Sequence, residues 1–271
     1  MGSRPSGLVA AALFAAVALA APLVVRGDPF RADLPGRLAG PSVAHPLGRD
    51  GLGRDVLARI AGGARVSLGV AAATVTASLA IGATIGATGG LAGGWVDLTI
   101  ARAIDVVLAF PGLLLAIALA AIRGPGIGNV VVALAAVGWP SYARLARAHV
   151  LTLRRREFTQ AAVALGAAPM RIVGRHLLPL AAPTLLVQAT FGFAGAILAE
   201  ASLSFLGIGV PPPTPSWGAM LDEGREFLLV APHLIIFPGI ALAVTVVVLQ
   251  RLGDGLHDWL DVRAGADTAQ R

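Results

Sequence analysis

The groups able to do chemistry are few and widely separated. Glu200 lies deep in a long apolar stretch, flanked by Ala199 and Ala201 and followed by Ser202 and Ser204. An unpaired carboxylate is costly there. It therefore either contacts a cationic solute or amino terminus, or locks helix to helix through the serine hydroxyls and a partner arginine. Hydrolytic catalysis would need a nucleophile and a base about 3 Å apart. The five histidines, His45, His149, His176, His233 and His257, form no HExxH pattern, and none falls at the depth expected for Glu200. The chain has no cysteine and no lysine. A thiol nucleophile, a thiolate metal site and a disulfide are thereby excluded, as is a Walker-type ATP loop, which needs Gly-Lys-Ser/Thr. No catalytic residue, metal or cofactor is expected. Asp97, Arg102 and Asp105 could form an ion pair through Arg102 at headgroup level, or act in gating. Gln188, with Thr184 and Thr190 nearby, either lines a hydrated path or hydrogen-bonds between helices.

Elements that live in lipid must position these groups. Of 271 residues, 56% are hydrophobic and 13% charged, against roughly 25% charged in soluble domains. Apolar stretches fall near 8–25, 67–89, 100–122, 128–149, 182–207 and 230–251. Each supplies about 20 residues of helix, enough to cross roughly 30 Å of hydrocarbon. The expectation is an all-α, polytopic membrane protein with six transmembrane helices. The first stretch could be a cleaved signal peptide, but several further spans favour an uncleaved helix. We divide the chain into 1–66, the first helix and an outer connecting segment; 67–253, the transmembrane core; and 254–271, a tail. The net charge of +6 comes entirely from arginine and does not argue for nucleic acid.

Arginines set the orientation. Arg144, Arg147, Arg154, Arg155, Arg156, Arg171 and Arg175 cluster from the end of 128–149 up to 182–207, and Arg251 and Arg263 follow at or after the end of the last stretch. The positive-inside rule puts both regions in the cytoplasm, although Arg26 to Arg65 form a counterweight on the other side. Gly82, Gly86, Gly89 and Gly90 would let a neighbouring backbone approach closely. Pro111, Pro140 and Pro238 would kink their helices. Ser216 is placed to cap a short helix through Trp217 to Leu221, with Trp217 read as an interfacial anchor or a wall of the path. The repeated Gly-Arg-Asp of 48–50 and 53–55 suggests local ion pairs before the second span.

Residues 151–179 are too polar to cross a bilayer and yet are patterned. Phe158, Ala161, Ala162 and Leu165 recur at helical spacing, Gly166 follows, and Met170, Ile172, Val173, Leu177 and Leu178 precede Pro179. This reads as two short helices meeting at a glycine, a knob suited to a partner's groove. The plainer alternative is a basic loop meeting anionic membrane lipid. The segment resembles the EAA loop of bacterial ABC-importer permease subunits through Ala161, Ala162, Gly166, Ile172 and the Leu178–Pro179 pair. His45 to Leu68, Asp105 to Pro111, Trp139 to Arg144 and Ala196 to Leu221 are similar to the second permease subunit of dipeptide, oligopeptide and nickel importers.

That resemblance implies an importer subunit with no chemistry of its own and the ABC-importer permease fold. A homologous permease subunit would complete the path, two cytoplasmic ATPase subunits would hydrolyse ATP, and an extracytoplasmic solute-binding protein would deliver solute. Phe158, Gln160, Ala161, Ala162, Gly166, Ile172, Leu178 and Pro179 would form the contact with the ATPase. Gln160 stands where the family motif has glutamate, which weakens an ionic contact but not packing, and Glu157 could substitute. Asp105, Gln188, Glu200 and Trp217 remain path or packing residues, with a structural role favoured for Glu200 because its motif is shared across different solutes. The 45–55 segment could also dock the binding protein. Peptide import leads, with a nickel-chelate or other small solute as alternative. An ion-coupled secondary transporter is the competing class, resting on kinked helices and Glu200, but no inverted repeat is evident.

Overall fold

Backbone that crosses hydrocarbon must satisfy its own hydrogen bonds, and the described residues do so with helices and no β-sheet. The computed structural model describes residues 27–269, of which 261–269 are described as helical backbone. The expected first span, 8–25, lies outside the described residues. After a 3-10 turn at Leu34–Gly36, helix α1 runs Val56–Ala92, α2 Gly94–Leu108, α3 Gly112–Arg123 and α4 Ile127–Leu153. Two short helices follow, α5 Glu157–Ala164 and α6 Pro169–Ile172. A π turn, Val173–Leu177, leads into α7, Leu178–Phe205, and then come α8, Trp217–Arg225, and α9, His233–Ala269.

Helix α1 starts earlier than the apolar stretch 67–89 because Asp55 caps it, its carboxylate accepting from the Ala58 N–H at 2.8 Å. It ends at Gly93, φ +68°, a conformation that costs glycine little. The stretch 100–122, expected as one span, is broken: α2 and α3 meet at 86° around Pro111. Proline cannot donate to the helical ladder and biases the preceding residue away from helix. The twelve residues of α3 reach only about 18 Å. Pro140 and Pro238, in contrast, lie inside continuous helices. Among the described residues three helical runs are long and apolar enough to cross a membrane, 56–92, 169–205 and 233–260, or four if the bent pair is one span. Helix α4 is long, but Trp139-Pro-Ser-Tyr142, Arg144 and Arg147 dilute its apolar character.

Lipid gives helices no hydrophobic reason to associate, so close approach through small residues must hold them. Helices α1 and α4 meet this way. A Cβ at Gly82 would collide with the Trp139 carbonyl oxygen, and one at Gly86 with that of Ala143. Around this seam Ala71, Ala83, Tyr142, Ala146, Leu185 and Ile197 form one buried cluster joining α1, α4 and α7.

Candidate functional site

The two-helix reading of 151–179 matches the observed local structure. Helix α5 closes in a Schellman motif: Gly166, at φ +76°, donates to the Val163 carbonyl at 2.9 Å, and Ala167 donates to that of Ala162 at 3.0 Å. Pro169 then starts α6. One side of the segment is anchored: Ile172, Val173 and Leu177 are buried against Ala87 of α1 and Val150 of α4, with Ala162 and Leu178 packed alongside. Thr159, 1% exposed, donates to the Leu153 carbonyl at 3.0 Å. The other side is bare, and Phe158, Val163, Leu165 and Met170 are exposed together with Gln160, Ala161, Gly166 and Pro179. The Gln160 amide donates to the Arg155 carbonyl at 3.3 Å. The residues grouped by sequence therefore divide into anchors (Ala162, Ile172, Leu178) and a presented face (Phe158, Gln160, Ala161, Gly166, Pro179).

Polar groups of the spans pair differently from expectation. Asp97 takes two bonds from the Arg147 guanidinium, 2.5 and 2.8 Å, the bidentate geometry that arginine favours. Asp105 meets Arg144 at 3.0 Å, both more than half exposed. Arg102 joins neither pair, because α2 crosses α4 and brings arginines 50 and 39 residues away within reach. Glu200, fully buried, is held among the described residues by serines and not by an arginine. Ser67 of α1 donates to it at 2.9 Å, and Ser204, one turn along α7, donates at 2.7 Å. Ser67 also accepts the Trp217 N–H at 3.3 Å, so the carboxylate joins α1, α7 and the start of α8. Trp217 is not an interfacial anchor: it is 3% exposed, and its indole N–H donates to the Ile60 carbonyl at 3.1 Å. Ser216 caps α8 through the Ala219 N–H. Gln188 lines a cleft with Thr74, Ser78 and Tyr142.

Next to the start of α1 lies a charge network that the sequence only half revealed. Arg54 pairs with Asp50 at 2.6 Å, a local pair of the kind the Gly-Arg-Asp repeat suggested, whereas Arg49 reaches outside the repeat to Asp33, 16 residues away. Beyond these pairs, Arg59, 1% exposed, reaches Asp50 at 2.7 Å and Glu223 of α8 at 2.5 and 3.0 Å, and Arg54 also reaches Glu223 at 2.7 Å. The sequence reading pointed to neither Arg59 nor Glu223 as members of this network. Burial pushes the Asp50 carboxyl up, but the Arg54 N–H and the charges of Arg59 and Arg54 outweigh it, so its pKa lies below the usual carboxylate value. His45 bridges Asp55 and Arg49, each at 2.7 Å.

Residues 78–265 match the family described as binding-protein-dependent transport system inner membrane components. The chain belongs to that family. This permease is 43% identical to the dipeptide transport system permease protein DppC of Alkalihalophilus pseudofirmus, over 94% of its own length and 84% of the relative's. It is 47% identical to the glutathione transport system permease protein GsiD of Shigella dysenteriae, over 82% of its own length and 73% of the relative's. A solved chain of the MetNI methionine ABC transporter superposes with a TM-score of 0.58, covering 72% of this permease and 93% of that chain at 18% identity, a likeness of fold. The permease is thus a multi-pass component of the bacterial inner membrane.

Proposed function

We propose that this permease forms half of the translocation path of an ATP-driven importer of short peptides and is driven through residues 151–179 by separate ATPase subunits. In this reading six spans cross the membrane: 8–25, α1, the broken α2–α3 pair, α4, α7 and α9. Helices α5 and α6 face the cytoplasm. A homologous permease completes the path, two ATPase subunits seat the exposed face, and an extracytoplasmic binding protein delivers solute. ATP hydrolysis belongs to those subunits and not to this chain.

One observation carries the coupling role. The segment is firmly rooted through Ile172, Val173 and Leu177, while Phe158, Val163, Leu165 and Met170 are exposed around a left-handed glycine. A rooted knob with an unpaired apolar face can pass a push from a partner into α7, which a loose basic loop cannot. The presence of Gln160 in place of an acid makes that contact a matter of packing. The relatives named for dipeptide and glutathione, both short peptides, support the solute class. A nickel-chelate solute rests on subfamily resemblance alone, and membership in a binding-protein-dependent family leaves the ion-coupled alternative without support.

The test is ATP hydrolysis by the complex purified from its native membrane, with the binding protein and a dipeptide mixture added. Dipeptides should stimulate hydrolysis, and Ala161→Trp or Leu165→Asp, both at exposed positions, should abolish that stimulation without unfolding the permease. Stimulation by nickel alone would overturn the peptide assignment. Absence of any co-purifying ATPase subunit would overturn the importer reading.

A further inference from the structure

Hydroxyls on this chain's helices ordinarily bond back to a carbonyl one turn earlier, as Thr84, Thr88, Thr99, Thr152, Ser202 and Thr245 do at 2.7 to 3.2 Å. Three do not. Thr74 Oγ1, Ser78 Oγ and Tyr142 OH have no hydrogen-bond partner among the described residues, although these residues are only 4%, 2% and 3% exposed. All three residues line one cleft of about 240 Å³ between α1, α3, α4 and α7, together with Ser141 and Gln188. Among the described residues no aspartate, glutamate, arginine or histidine lines it. Glycines cover the hydroxyls. A Cβ at Gly138 would come within 2.7 Å of Ser78 Oγ, and one at Gly192 would strike Tyr142 OH.

A buried hydroxyl without a partner is destabilising, so three at one cleft mark groups kept free for another molecule. Hydroxyls both donate and accept, as does the Gln188 amide taken as a whole. Such a lining serves the N–H and C=O of an amide in either direction and ignores side chains. It would leave a charged terminus unpaired. The volume is below the roughly 300–1,000 Å³ of ordinary small-molecule pockets, which suits a fragment of chain and not a whole folded ligand. We propose that Thr74, Ser78, Tyr142 and Gln188 form a transient subsite for the neutral main-chain amide groups of a passing short peptide. The proposal rests on the peptide-import reading above. Engagement requires α4 to draw away from α1, so that Gly138 uncovers Ser78, and from α7, so that Gly192 uncovers Tyr142, which ties occupancy to the transport cycle. The subsite has no means of distinguishing side chains, so selection falls to other components.

The test uses the complete importer in proteoliposomes with saturating binding protein, following uptake of radiolabelled dialanine, ATP hydrolysis and thermal stability together. Ser78→Ala combined with Tyr142→Phe should keep or raise Tm and preserve ATP hydrolysis. Uptake per ATP should fall about fivefold for each hydroxyl lost, the effect of one ordinary hydrogen bond. Thr84→Ala, removing a hydroxyl that bonds back within its helix, should leave uptake unchanged. Wild-type uptake in the double variant would overturn the subsite while leaving peptide import intact. A wild-type complex that hydrolyses ATP but moves no dialanine would overturn the peptide reading and the subsite with it. Should the double variant fail to assemble, Ser78→Ala alone, the loss of one atom, decides the same comparison.

Discussion

Replacing Glu223 with alanine tests whether the charge network ties α8 to the start of α1. The carboxylate accepts from Arg54 at 2.7 Å and from both terminal nitrogens of Arg59 at 2.5 and 3.0 Å. Arg59 is 1% exposed and would keep only Asp50 as a charged partner among those described. Removing one partner of a fully buried pair costs about 3–5 kcal/mol. Glu223 itself is 32% exposed, so water recovers part of that, and a loss of about 2–3 kcal/mol is expected. At about 2–4 °C per kcal/mol for a chain of this order of size, Tm should fall by roughly 4–12 °C. The assay is thermal unfolding of the detergent-purified complex followed by tryptophan fluorescence, with Glu226→Ala at the exposed neighbour as control. A Glu223→Ala Tm within about 1 °C of wild type would refute the reasoning and reduce the network to a surface ion pair.

Other expectations follow from the same geometry. Because the Asp50 pKa is depressed on folding, its contribution is fully present above the unfolded value near 3.9 and is lost as pH falls through the folded one. The Tm penalty of Asp50→Asn should therefore hold steady from pH 7 to about 5 and shrink only below about 4. Gly86→Val should push α1 away from the Ala143 carbonyl and cost at least about 1–3 kcal/mol, read as loss of folded protein on size-exclusion chromatography. Glu200→Leu strands the Ser67 and Ser204 hydroxyls at about 1–3 kcal/mol each, whereas Glu200→Gln keeps an acceptor and should lower Tm much less. Gly166→Ala must hold a side chain at φ +76° for about 1–2 kcal/mol, and peptide-stimulated ATP hydrolysis should suffer more than Tm.

Features governed by neighbours in sequence were the ones that could be read in advance. The Ser216 cap, the glycine joint at 166 and the Arg54–Asp50 pair each depend on residues a few positions apart, and each is present. Glycines 82 and 86 announced a close contact but could not name α4 as its partner. Asp97 illustrates where such reading stops: Arg102 was the nearest cation in sequence, but a helix broken at Pro111 laid α2 across α4 and delivered Arg147 instead. Glu223 and Arg59 meet across 164 residues, and the three bare hydroxyls near Gln188 acquire meaning only once four helices surround them. Trp217 misled because an indole suits a membrane interface and a packed interior equally well, and only the position of Ile60 decides between them.

The run from α6 through the π turn into α7 has a mechanical meaning. Residues 169–205 are helical without a loop between them. At about 1.5 Å per residue, roughly 42 Å separate Ile172 from Glu200, so the run works as a lever arm. A tilt of about 5° at the α6 end would carry the Glu200 end sideways by on the order of 4 Å, more than the length of the serine bonds that hold it. Small rotations at one end of this subunit are thereby enough to make or break single contacts at the other.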